Sequence, residues 1–404
     1  MLSEKDDELL GVARRADAMG FLAVWSARAR SMVPHLTEQT TEVRGFQLLV
    51  EALRLWQPYL REHPEHAGRV SEFFILVEQA FARIVMFNSD DDWPLPGGRR
   101  ARARRHEAPR ISLQDLSWHL LGAQKTNGIW GLYRGAAGRA GLLEEDLTTL
   151  SSETLEACRQ TTRFGPSAEQ RLFAWIASAM DNATSAIEPR ANNPAARAIR
   201  ETFDIVPLAA HLRRRLIEGH DLNRRLAKRL TKAKKLDHRP FMTKAAKKLD
   251  QHGEILEEAI RCENLLSVVE AVFEWLCTQR GRRLSDVASR LPINLAELER
   301  AKSDFARSGT YQGATASHRK SLLELRLDTS SKLALLESVL YLHEEVSTAR
   351  GRSAWIHLEG GVLCSNVDLE VPANEDFEVG VAWRNDYYLR PLQSIASQLE
   401  EALG

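Results

Sequence analysis

No window of this 404-residue chain approaches the roughly eighteen consecutive apolar residues that a membrane-spanning helix requires. The best runs, Gly20–Ala27 and Phe73–Val77, are short and bounded by charge. Cysteine is equally sparse. Cys158, Cys262, Cys277 and Cys364 are scattered, with no CxxC and no Cys/His cluster, which argues against a disulfide scaffold or a structural zinc and suits a reducing compartment. The acidic start, Met1-Leu-Ser-Glu-Lys-Asp-Asp-Glu8, is the opposite of a secretory signal's basic start, so a cytoplasmic location is expected.

Catalytic signatures are missing too. There is no GxxxxGK[ST] loop, no GxGxxG between strand and helix, no HExxH and no GxSxG. The twelve histidines are dispersed, and the nearby pair His63 and His66 reads as a Pro-flanked surface loop with no acidic or Cys partner. Asp368 and Glu370 alternate along an expected strand, as a metal nuclease would need. The lysine that should follow is absent, because Val371-Pro372 ends the strand, and a charged strand edge is the expected reading. No catalytic residue, no metal site and no cofactor is therefore assigned. Charge offers no global cue: 55 Lys and Arg balance 55 Asp and Glu, so any attraction to a polyanion must come from uneven distribution.

What the chain does have is helical periodicity. Val43, Phe46, Leu49, Val50, Leu53 and Trp56 form a stripe at spacings of three and four, with Thr37 and Thr40 as candidate caps and Pro58 as the end. Val70, Phe73, Phe74, Val77, Phe81, Ile84 and Val85 repeat it, so the two helices should form a hairpin. A break at Asn88–Trp93 and Pro94-Leu-Pro-Gly-Gly leads into Arg99, Arg100, Arg102, Arg104 and Arg105, expected as a flexible loop. A helix is expected near Ser112. The stretch Gly128-Ile-Trp-Gly-Leu-Tyr-Arg-Gly-Ala-Ala-Gly-Arg-Ala-Gly141 reads as a tightly packed turn. Further helices are expected near 151–163, 167–183, 194–217, 220–237, 240–260, 262–280, 284–291, 295–307, 330–349 and 391–403. Near the C-terminus, Ser353–Leu358 alternates, Gly360-Gly361 supplies a two-residue turn, and Leu363, Val367, Leu369 and Val371 follow at period two. A short strand at Phe377–Ala382 would join this hairpin.

The fold class is thus mainly α, a multi-helix protein with a small C-terminal β-hairpin. Its regions are 1–88 (helical), 89–110 (Arg-rich loop), 111–205 (helical), 206–350 (basic helical) and 351–404 (hairpin and terminal helix).

Charge is concentrated in one place. Between His211 and Leu249 fourteen Lys or Arg stand against Glu218, Asp221 and Asp237, a net +11 in a neutral chain. Leu222, Leu226, Leu230, Ala233 and Leu236 would line one helix face, and Arg224, Lys228, Lys232 and Lys235 the opposite one. Arg225, Arg229 and Lys234 widen its flanks, and the stripe would run on the order of 20 Å. A solvated face is one reading of such a run. The other is a contact with DNA or RNA through Arg213, Arg214, Arg224, Arg225, Lys228, Arg229, Lys232 and Lys235. A candidate helix-turn-helix at 284–306 has its turn at Pro292–Asn294, although Pro292 replaces the usual turn glycine and Glu297, Glu299 and Asp304 load the reading helix.

Three stretches, Pro34-His-Leu-Thr-Glu-Gln-Thr-Thr-Glu-Val-Arg-Gly-Phe46, Gly128–Leu143 and Trp383-Arg-Asn-Asp-Tyr-Tyr-Leu389, together resemble a loosely defined group of uncharacterised bacterial helical proteins encoded among antiphage defence genes. In that group an aromatic pair follows the first motif's arginine, where this chain has Gly45-Phe46. The resemblance implies a role in genome defence and no chemistry. The expected function is a non-enzymatic nucleic-acid-binding component of a bacterial complex, working with proteins of the same operon and without a membrane. The alternatives are an adaptor whose basic helix docks an acidic protein, and a nuclease or hydrolase with a dispersed site.

Overall fold

The computed structural model describes residues 17–89, 93–182, 184–233, 235–309, 311, 313–366 and 377–404. The acidic start Met1–Glu8, Lys234, Val367, Leu369, Val371 and the Asp368–Glu370 pair lie outside them. The fold is mainly α, as the periodicity implies. In chain order the helices are α1 (Leu22–Met32), α2 (Val43–Glu62), α3 (Val70–Met86), α4 (Gly98–Ala103), α5 (Gln124–Asn127), α6 (Ile129–Arg139), α7 (Ser152–Thr161), α8 (Pro166–Asp181) and α9 (Pro194–Ile205). Then come α10 (Ala209–Arg213), α11 (Asp221–Leu230), α12 (His238–Lys248), α13 (Gly253–Thr278), α14 (Leu284–Arg290), α15 (Leu295–Ala306), α16 (Ala314–Arg326), α17 (Lys332–Ala349) and α18 (Leu389–Leu403). No helix among the described residues is long and apolar enough to cross a membrane.

The chain forms two compact units, each assembled from two separated stretches. Among the described residues, one comprises those from 17–32 and from 235–387. Its axis is α13, about 39 Å long at 1.5 Å per residue, against which α1, α12, α15 and α17 pack. Leu256, Ala259, Cys262, Leu265, Leu266, Val269 and Phe273 are buried along it. Within this unit the β-hairpin forms as expected: β3 (Ile356–Glu359) pairs antiparallel with β4 (Val362–Ser365), and Leu358 faces Leu363. Gly360 and Gly361 both take positive φ (+57° and +81°), the backbone a two-residue primed turn demands. No strand forms at Phe377–Ala382, which is turn and irregular chain.

The other unit comprises 33–234 and 388–404. Here α2 and α3 pack as the expected helical hairpin, with α6, α8 and α9 completing the core and α18 covering α10 and α11. Two-residue strands β1 (Arg110–Ile111) and β2 (Ser185–Ala186) pair antiparallel. The N-terminus of α2 is not capped by a threonine. Thr40 Oγ1 instead accepts the Thr37 N–H (2.8 Å), and the Val43 N–H donates to Gln398 Oε1 of α18 (2.9 Å). Pro58 does not end α2, which continues to Glu62. The arginine segment contains a short helix, α4, rather than only loop, and the expected helix near Ser112 is a run of turns with Leu116 exposed. The Gly128–Gly141 stretch is helix α6, not a turn. Its buried Ile129, Trp130, Tyr133, Ala136 and Ala137 have helical spacing, and Glu78 Oε1 accepts the first-turn Ile129 N–H (3.0 Å).

Candidate nucleic-acid interface

Helix α11 is amphipathic for the reason the leucine spacing gives. Leu222, Asn223, Leu226, Ala227 and Leu230 are buried, and α18 covers them. Its first turn is capped by His220, whose Nδ1 accepts the Asn223 N–H (3.4 Å). Before it, α10 runs into a π-helical turn at Arg214–Glu218 that buries Leu216 and Ile217 and leaves Arg214 outside.

The expected stripe is shorter than the sequence pattern suggests. Helix α11 stops at Leu230, so its ten residues span about 15 Å rather than 20 Å. Gln393 of α18 is the physical cause: its Nε2 donates to the carbonyls of Leu230 (2.9 Å) and Ala233 (3.2 Å), satisfying them from outside. Arg224 and Lys228 remain four apart on the outer face, as do Arg225 and Arg229. Lys232 is exposed in the turn beyond the helix, and Lys235 is exposed and belongs to the other compact unit.

Several of these cations are already engaged. Asp221 takes both Arg224 (2.5 Å) and Arg225 (2.7 Å), and Arg213 pairs with Glu218 (3.0 Å). Such exposed pairs contribute about 0–1 kcal/mol, so a phosphate can displace them at little cost. Arg215, outside the expected set, is structural: it bonds the Gly141 carbonyl (2.9 Å) and Glu153 (3.0 Å). Arg214, Lys228, Arg229 and Lys232 make no ion pair with any described residue. The last-turn cations Lys228 and Arg229 also complement the negative end of the α11 dipole, a purely structural benefit that competes with the binding reading.

The other sequence candidates fare differently. Arg104 pairs with Glu107 (2.9 Å) and lies 4.5 Å from the Trp118 ring, tying down the arginine segment. At 284–306 both expected helices form, but α14 packs on α17 and α15 on α13. On α15, Lys302 Nζ is used by the Leu327 carbonyl (2.5 Å), while Glu297 and Asp304 remain partly exposed and Glu299 exposed, a poor surface for phosphate.

Two buried carboxylates were not singled out in the sequence, although each sits inside an apolar helical run. Burial pushes Glu78 up to about 7. Glu263, raised by burial too, accepts N–H groups from Arg384 and Asn385, the latter at 3.1 Å. Both anchor local structure: Glu78 starts the Trp130–Tyr133 helix and Glu263 holds the Trp383–Tyr387 turn. They are scaffolding. A cleft of about 450 Å³ in the second unit is lined by Arg54, Arg61 and Arg159, with Arg54 held by Glu51 (2.8 Å) and Glu169 (2.7 Å). No protein-family model, curated protein or solved structure matches the chain.

Proposed function

We propose that the face formed by Arg213, Arg214, Arg224, Arg225, Lys228, Arg229 and Lys232 binds the phosphate backbone of DNA or RNA, and that the protein is a non-enzymatic component of a bacterial nucleic-acid-handling complex. The resemblance to proteins encoded among defence genes supports genome defence as its setting. The observation that carries the reading is the set Arg214, Lys228, Arg229 and Lys232, without an ion pair among the described residues, around a helix whose leucine face is fully committed to the core. A rigid cationic face of this kind neutralises phosphates and releases their counterions, which favours any sequence and weakens steeply with salt.

The test is titration of duplex and single-stranded probes by fluorescence anisotropy over a range of salt. Reversing Arg214, Arg224, Lys228 and Lys232 to Glu should cost at least about 100-fold in affinity and flatten the log K against log salt slope by roughly 3 to 4. Failure of the native chain to bind at low salt, or equal binding by the variant, would overturn the reading. The Asp221 carboxylate clamped between Arg224 and Arg225 favours a second one, an acidic partner protein docked on the same face. A partner captured from the native host that survives nuclease treatment but is lost in the variant would select it.

A further inference from the structure

We propose a divalent transition-metal site at the C-terminal end of α2, built from His63, Glu65 and His66 beside Asp181. The sequence places Glu65 between His63 and His66; the structure turns it toward His63 and brings Asp181 to His66. The helix α2 ends at Glu62, the His63 N–H donates to the Tyr59 carbonyl (2.9 Å), and Pro64–His66 then forms a 3-10 turn. This folding places imidazole nitrogens of His63 and His66 and a Glu65 carboxylate oxygen all within 4.8 Å of one another. His63 Nδ1 and Glu65 Oε1 are 3.2 Å apart. Donors bound at 2.0–2.2 Å in a tetrahedral or octahedral shell are spaced about 3 to 3.5 Å, so only a small contraction is needed.

The shell behind these donors is in place. His66 is buried, with Nδ1 2.6 Å from the Tyr59 hydroxyl and Nε2 3.0 Å from Asp181 Oδ1. Whichever nitrogen takes the ion, the other already has an oxygen partner to fix its tautomer, as ligating histidines require. If Nε2 ligates, Asp181 is at hand as a fourth donor. Tyr59 is itself immobilised between Phe73 (4.8 Å) and Phe173 (5.4 Å). A core histidine needing hydrogen bonds accounts for His66 alone. It does not account for the His63 ring stacked 5.8 Å away or for Glu65 turned toward it.

Two imidazoles with carboxylates favour zinc and its neighbours over calcium or magnesium, which prefer oxygen alone. Glu65 and Asp181 are both exposed, so solvent reaches the site and water can complete the shell. A rival group, His357, Glu359 and Cys364 on the β-hairpin, lacks this support: His357 Nδ1 is buried with no hydrogen-bond partner among the described residues. Coordination through its Nε2 would strand an N–H there.

Titration calorimetry of the full chain with zinc should show one ion per chain. His63→Ala and Glu65→Gln, at accessible positions that leave the buried His66 intact, should each weaken binding at least about tenfold, and Tyr59→Phe by a similar factor. The His357→Ala/Cys364→Ser double variant should bind as the native chain does, and the cobalt-loaded protein should show no thiolate charge-transfer band. Absence of stoichiometric binding, undiminished binding by both His63→Ala and Glu65→Gln, or a thiolate band lost with Cys364 would each overturn the site.

Discussion

Gly45→Ala is expected to destabilise the protein by about 3 kcal/mol, although glycine to alanine inside a helix ordinarily gains about 1 kcal/mol. Gly45 lies in the first turn of α2, where α6 crosses, and a Cβ there would sit 2.4 Å from the Tyr133 ring. The ring has nowhere to go. It is about 1% exposed, packs edge-on to Phe46 at 4.9 Å, and its hydroxyl receives the Glu42 N–H (3.3 Å). Tyr133→Leu alone should also cost stability through lost packing and that hydrogen bond. Combined with Gly45→Ala, it should recover much of the alanine's cost, giving a coupling of about 2 kcal/mol in a double-mutant cycle measured by urea unfolding. Stabilisation by Gly45→Ala, or simple additivity, would mean that α2 and α6 do not meet there.

Helices α2 and α3 mark the boundary of what one sequence can disclose. Stripes at 43–56 and 70–85 have a period that only a one-sided helix explains, so both helices and their hairpin were legible. Gly360-Gly361 announced its turn in the same local way. Less legible was anything decided by residues far along the chain. The start of α2 is capped by Gln398 and the end of α11 is set by Gln393, both on the C-terminal helix, so local cap and leucine patterns misplace those ends. The basic stripe was visible as composition, yet its division between Lys232 and Lys235 belongs to tertiary structure. At His63–His66 the neighbouring Glu65 was in plain view, but Asp181 and the burial of His66 depend on the packing of α8 against α3 and of Tyr59 against Phe173.

Glu78 should make folding stability depend on pH with a sign opposite to that of a paired surface carboxylate. Burial holds its carboxyl at about 7 against an ordinary value of 4.5, despite two groups that favour the anion: the Ile129 N–H (3.0 Å) and Gln124 Nε2 (2.7 Å). Desolvation therefore outweighs both hydrogen bonds and the positive end of the α6 dipole. Below pH 4.5 the carboxyl is protonated in both folded and unfolded chains, and its full contribution is present. Between 4.5 and 7 the unfolded chain ionises while the folded chain keeps its proton, so stability falls by about 1.4 kcal/mol per pH unit and roughly 3 kcal/mol in all. Above 7 the loss is complete. Glu78→Gln removes the titration but leaves only one acceptor for two donors, a pH-independent cost of about 1–3 kcal/mol. The native-minus-variant difference in unfolding free energy should accordingly decline from pH 4.5 to 7 and then level off, and taking the difference cancels the acid sensitivity of other groups such as Asp146. A difference that rises over that window would show that the hydrogen bonds win and that Glu78 is held as an anion at the start of α6.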